Sequence, residues 1–287
     1  MYTGRFAPTP SGRLHFGSLI ALLGAYLRAK SQQGRILLRI EDLDSARCSK
    51  ELTIKMLSDL DTLGFSFDAP PKIQSDSQNR SRYLEVLKLL EQKGCTFRCS
   101  CTRDSLRHTP CTCHTRVLQS NSGFSVRFRP DPQSETEFTD ALQGRVKTQS
   151  SSQFITLLRR DGIIAYNLAC VVDDHDTGVT EVVRGRDLIA ETPVQNAIYR
   201  ALNWQTPAYL HLPLALQQED RKFSKQNHAK AVLEDQTPQQ ALLSALDFLG
   251  QSTAGCGLND DCRSILERAA GRFDLEKIPR RDTVFHY

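Results

Sequence analysis

The chain has 287 residues, 39% hydrophobic and 24% charged, with a formal net charge of +4 and a pI near 8.6. That length can bury a core as one large or two small domains, and the mild basic balance permits a nucleic-acid partner without requiring one. No apolar run is long enough for a membrane span and the N-terminus lacks a signal-peptide core, which excludes those classes and makes the cytoplasm the default.

The first element is RFAPTPSGRLHFGS, Arg5 to Ser18. It starts as a short extended run, meets Pro8 and Pro10, and turns at Ser11-Gly12. From Phe16 onward, Leu19, Leu22, Leu23, Tyr26 and Leu27 recur at helical spacing. A strand, a proline-rich turn and a helix opening at His15-Phe16-Gly17-Ser18 place backbone N–H groups beside an imidazole and a hydroxyl. That combination suits a phosphate, because the helix dipole and the amide donors both favour anions. ILLRIEDLD (residues 36–44) is an apolar strand ending in Glu41, Asp42 and Asp44, where a parallel sheet collects its binding groups. Helical patterns follow over Ser49 to Leu63 and Ser81 to Gly94, separated by a proline turn. This alternation reads as the first half of a Rossmann-like α/β domain.

Between Cys95 and His114 lie five cysteines and two histidines. Two C-x-C pairs, Cys99/Cys101 and Cys111/Cys113, can bring four thiolates to one structural zinc and so order a loop-rich insert. His108 or His114 could replace either member of the second pair. Nine cysteines in all, an odd number without a secretion signal, fit a metal site or plain thiols better than a disulfide framework.

FSVRFR (residues 124–129) alternates as a strand, and residues 131–153 read as a surface excursion interrupted near Phe138 to Gly144. Arg159 to Gly162 is a hairpin signal before IIAYNLACVV (residues 163–172), a buried run read as a strand whose acidic end, Asp173 to Asp176, reads as a metal-free turn. Residues 179–186 form a strand delivering Arg184 and Arg186. Thr192-Pro193 opens a helix, with the hydroxyl as its cap. HLPLAL (residues 211–216) is the next strand. Arg221 to Gln226 is a small basic loop, and two helices follow, Thr237-Pro238 to Gly250 and about Asp260 to Gly271.

PTPSGRLHFGS resembles the "HIGH" signature of class I aminoacyl-tRNA synthetases in its glutamyl and glutaminyl form. Ser18 stands where many members carry a second histidine. KFSKQ (residues 222–226) resembles their second signature, "KMSKS", with Phe223 for the usual methionine or leucine. In order with ILLRIEDLD, YNLACVVDD, VVRGRDLI and HLPLAL, these segments resemble a glutamyl-tRNA synthetase catalytic domain across most of residues 3–230. The resemblance implies a Rossmann-type catalytic domain in two halves, 1–94 and 161–230. An insert at 95–160 binds zinc, and a short helical region occupies 231–287.

It also implies roles. Arg5 and Arg184 would bind carboxylates and Glu41 an ammonium, in a glutamate pocket lined by Phe6, Ala7, Pro8, Thr9 and Tyr166. His15, Gly17, Ser18, Lys222 and Lys225 would hold the phosphates of ATP, used as its magnesium complex. Cys170 replaces an asparagine usual in glutamyl-tRNA synthetases. The chain continues only about sixty residues past KFSKQ, short of the anticodon-binding region of those enzymes. A short zinc-containing relative of this kind resembles the glutamyl-queuosine tRNA(Asp) synthetases, which activate glutamate without tRNA and attach it to queuosine. The expected partners are L-glutamate, ATP and queuosine-containing tRNA(Asp), for a monomer away from membranes. The alternative is a truncated or unusual glutamyl-tRNA synthetase charging a 3′ end.

Overall fold

The computed structural model describes residues 1–102, 104–115, 123–131, 136–148, 154–218, 221–222 and 230–285. Strand β1 (Thr3–Phe6) is buried throughout and leads through the proline turn into helix α1 (Phe16–Ser31). The helix buries Leu19, Leu22, Leu23 and Leu27, as their spacing predicts. Gly24 lets it approach the sheet, since a Cβ there would meet Leu212 Cδ1 at 2.4 Å. β2 (Arg35–Ile40) runs parallel to β1, with Leu37 opposite Arg5. Then come α2 (Lys50–Thr62), capped by Ser49, the short β3 (Lys72–Ile73) parallel to β2, and α3 (Ser77–Gln92), which starts four residues before the expected Ser81.

The next stretch holds β4 (Thr96–Cys99), a turn of helix α4 (Ser105–His108), β5 (Ser125–Phe128), the hairpin of β6 (Glu137–Asp140) with β7 (Gly144–Lys147), and β8 (Ile155–Leu158). β4, β5 and β8 make one antiparallel sheet. The chain continues with α5 (Tyr166–Asp176), β9 (Glu181–Gly185), α6 (Thr192–Ala201), β10 (Ala208–Leu212), β11 (Ala215–Gln218) and β12 (Arg221–Lys222). It closes with α7 (Val232–Asp235), α8 (Pro238–Phe248), α9 (Cys262–Ala270) and β13 (Thr283–Val284). β6 joins the edge of β10, so its hairpin belongs to the second half of the central sheet.

Three expectations change. The buried run at 163–172 is a helix from Tyr166, not a strand. Residues 167 to 174 are all buried, so no polar face marks a helical period, and a continuous apolar run does not distinguish the two states. HLPLAL divides at Pro213-Leu214, and the chain passes from β10 in one sheet to β11 in another. Thr192 does not cap α6. It is the first helical residue, and its hydroxyl accepts from Arg184 Nη2 at 2.7 Å.

β3, β2 and β1 lie in parallel order, and β9 is parallel to β10. The two groups meet between β1 and β9, where the Thr180 amide donates to Thr3 O at 2.9 Å and Arg5 Nη1 donates to Val183 O at 3.1 Å. Strand order therefore reverses beside β1, as in doubly wound α/β folds, whose ligands bind at the carboxyl ends of the strands at that point. One core packs α1 with α8 and α9, and a second packs α3, α5 and α6. No helix among the described residues is long and apolar enough to cross a membrane.

Candidate active site

A cavity of about 490 Å³ opens at that reversal point. Arg5, Phe6, Ala7, Pro8, Thr9, His15, Gly17, Ser18, Glu41, Tyr166 and Arg184 all line it. The carboxyl ends of β1 and β9 deliver Arg5 and Arg184, α5 delivers Tyr166, and the turn before α1 with the first residues of that helix delivers the rest of the first motif. The Glu41 amide donates to Pro8 O at 3.0 Å, which ties the proline turn to the end of β2. Arg47, Leu188 and the Pro213 to Ala215 link also line the cavity. Leu188 and the link fall within VVRGRDLI and HLPLAL, but neither segment gave them a role, and Arg47 stands outside every motif.

Behind the cavity lies a charge network that the sequence reading missed. Arg39 donates to Glu41 Oε1 from Nε at 3.3 Å and from Nη2 at 3.0 Å, and its Nη1 is bonded to Asp174. Arg5 Nε reaches Asp174 Oδ1 at 3.3 Å. Asp173 is held by Lys72, Gln74 and Tyr83. The DD pair after the apolar run is thus the buried end of a helix, not a solvated turn. Burial opposes the Asp174 carboxylate, but Arg39 and Arg5 outweigh it and hold its pKa below the usual range. Glu41 is pushed up by burial more than Arg39 pulls it down. Cys170 sits in this network, accepting from Arg39 at 3.3 Å and donating to Asp174 at 3.5 Å, and burial pushes its thiol up to about 12.

His15 caps α1 as well as lining the cavity: the Ser18 amide donates to His15 Nδ1 at 3.2 Å, and Ser18 Oγ lies 2.9 Å from Nε2. The backbone of Lys222 pairs with Leu216 on β11, which starts at the cavity-lining Ala215. Lys225, with residues 223–229, lies outside the described residues.

The Sγ atoms of Cys99, Cys101, Cys111 and Cys113 all lie within 4.8 Å of one another. Three of the pairs are 3.6 to 3.8 Å apart. A tetrahedron of thiolates with zinc–sulfur bonds of about 2.3 Å has edges of about 3.8 Å, so the donor set fits a metal ion. Among the described residues neither histidine joins the group. His108 is exposed on α4, and the His114 ring packs against Phe97 and Phe154. Arg160 Nη2 donates to Ser100 O at 2.7 Å and so grips the first knuckle from the hairpin that precedes α5.

A family model described as "tRNA synthetases class I (E and Q), catalytic domain" matches residues 2–259. A protein of Pectobacterium atrosepticum named "Glutamyl-Q tRNA(Asp) synthetase" is 42% identical over 290 residues, covering 99% of this chain and 88% of its own. Proteins of the same name from Serratia proteamaculans and Escherichia coli K12 are 43% and 42% identical, covering 99% of this chain and 94% and 92% of theirs. The solved glutamate-tRNA synthetase of Elizabethkingia anophelis superposes with a TM-score of 0.82 at 21% identity, over 99% of this chain and 68% of its own. That likeness shows the shared fold. The reversal-point cavity, the first signature lining it and these matches together place the chain in the class I tRNA synthetase family of the glutamate and glutamine branch, among the glutamyl-Q tRNA(Asp) synthetases.

Proposed function

We propose that this protein activates L-glutamate with ATP, without tRNA, and transfers it to the queuosine base of tRNA(Asp). The observation that carries the reading is identity of 42% and 43% over 99% of the chain to proteins named for that activity. In the first step a glutamate carboxylate oxygen attacks the α-phosphorus, and the bond to the β-phosphate oxygen breaks to release pyrophosphate. In the second, a hydroxyl of the queuosine ring attacks the acyl carbon, and AMP leaves as the hydroxyl gives up its proton. The protein's part is to hold the reactants and stabilise phosphate charge.

Arg5 and Arg184 take the carboxylates of glutamate and Glu41 its ammonium, with Thr9 and Tyr166 on the walls. Both bonds from Arg39 fall on one Glu41 oxygen, which supports this role by leaving the other to meet a cation. His15 and Gly17 lie at the start of α1 against the nucleotide phosphates, with Ser18 beside them. Lys222 and Lys225 meet the leaving pyrophosphate, and ATP is used as its magnesium complex. The four cysteines hold one structural zinc, whose chemistry is to order the knuckles.

Labelled glutamate should attach to tRNA(Asp) from cells that make queuosine and not to tRNA(Asp) from cells that cannot. Charging of tRNA(Glu) at its 3′ end, with queuosine-containing tRNA(Asp) unlabelled, would reverse the reading.

A further inference from the structure

The two cavity arginines are held in opposite ways. Arg5 is ion-paired with Asp174. Arg184 has five N–H donors, and its five partners among the described residues are all neutral. Nε donates to His211 Nε2 at 3.1 Å. Nη1 donates to Gln195 Oε1 at 2.9 Å and to the Tyr166 hydroxyl at 3.4 Å. Nη2 donates to Thr192 Oγ1 at 2.7 Å and to Leu188 O at 3.3 Å.

These partners divide by position. Thr192, Gln195 and His211 are buried behind the guanidinium and supply the three shorter bonds. Tyr166 and Leu188 line the cavity and supply the two longer ones, one on each terminal nitrogen. A planar fork with one displaceable contact on each outer nitrogen matches a carboxylate.

His211 can accept from Arg184 only as a neutral ring protonated on Nδ1. Asp140 Oδ2 lies 2.7 Å from that Nδ1 and selects the tautomer. Asp140 is anchored in turn by the amides of Leu142 and Gln143, at the β6–β7 turn. Burial lowers the His211 pKa, with the Asp140 hydrogen bond opposing it, so the ring stays neutral.

We infer that Thr192, Gln195 and His211 are positioning residues forming a neutral cage, which leaves the charge of Arg184 for a substrate carboxylate that replaces Tyr166 and Leu188 on its two outer nitrogens. The inference rests on the reading that Arg184 meets glutamate. A carboxylate in the cage would spoil the site by compensating the guanidinium, even with the bonds from Arg184 kept.

The test is calorimetric titration of the purified protein with L-glutamate and, separately, with ATP. Gln195→Glu keeps the shape, gives up the bond from Gln195 Nε2 to Asn167 Oδ1 at 3.0 Å and adds a charge, and should weaken glutamate binding about tenfold or more with ATP affinity unchanged. Thr192→Val should weaken glutamate selectively, and Thr192→Ser, which restores the hydroxyl, should recover it. Either variant decides the matter if the other does not fold. Unchanged glutamate affinity in Gln195→Glu or Thr192→Val, with Arg184→Ala strongly impaired, would overturn the cage alone. Unchanged affinity in Arg184→Ala would overturn both the cage and the reading beneath it.

Discussion

Arg5 Nε lies 3.3 Å from Asp174 Oδ1, and Arg39 bonds through Nη1 to the same oxygen. One carboxylate on α5 thus ties the ends of β1 and β2 together beneath the cavity, with all three side chains at most 5% exposed.

Asp174→Asn leaves two buried guanidinium groups short of a counter-charge. We expect a loss of about 3–5 kcal/mol, the range for removing one partner of a buried pair. Asp176→Asn, two residues along on the same helix and paired with Arg82 near the surface, should cost under about 1 kcal/mol. Urea unfolding of the two variants compares them directly, and equal losses would refute the ordering.

Acid should weaken the fold in two stages. His211 and His175 both have pKa values lowered from 6.5, chiefly by burial, so the unfolded chain takes up these protons before the folded one does. Their contribution is complete above the unfolded pKa and is lost as the pH falls below about 6.5. Asp174 and Asp140 have lowered pKa values as well, because their arginine, histidine and amide partners outweigh burial. Their contribution is lost only at lower pH, below the unfolded carboxylate value. Urea midpoints at about pH 7 and pH 5.5 should differ, and His175→Asn should reduce that difference. A midpoint that is flat over this range would count against the histidine assignment.

Freshly prepared protein should carry one zinc per chain. Burial and neighbouring thiols push Cys101 up to about 12, a preference that a divalent cation among the sulfurs reverses. Cys99→Ala and Cys113→Ala should each lose the metal by elemental analysis, and His114→Ala should keep it, since that ring packs on Phe97 and Phe154. Metal retention in Cys113→Ala with loss in His114→Ala would exchange the two assignments.

Thr237 caps α8, accepting from the Gln240 amide at 3.2 Å while the Gln240 side chain accepts from the Thr237 amide at 2.9 Å. Thr237→Ala should lower stability by about 1 kcal/mol. Because α8 packs on α1 in one core, thermal unfolding should remain a single transition.

What the sequence determined was local and ordered along the chain. The leucines of α1 mark its buried face, the Thr237-Pro238 pair marks the start of α8, and the paired C-x-C knuckles mark a four-sulfur cluster, because spacing alone sets which side chains share a face or a turn. The cavity residues Arg5, Thr9, Glu41, Tyr166 and Arg184 were legible through the resemblance of their motifs to the glutamyl-tRNA synthetase catalytic domain, not through spacing. Tertiary structure decided the rest. Asp173 and Asp174 follow an apolar run and look like a solvated strand end, yet they close a helix against Arg5, Arg39 and Lys72, partners far away in sequence. Asp140, Thr192, Gln195 and His211 meet only because β6 lies against β10 and α6 packs behind β9. Their pattern has no period to read. A buried polar group is chosen by the partner that satisfies it, and that partner is brought by the fold.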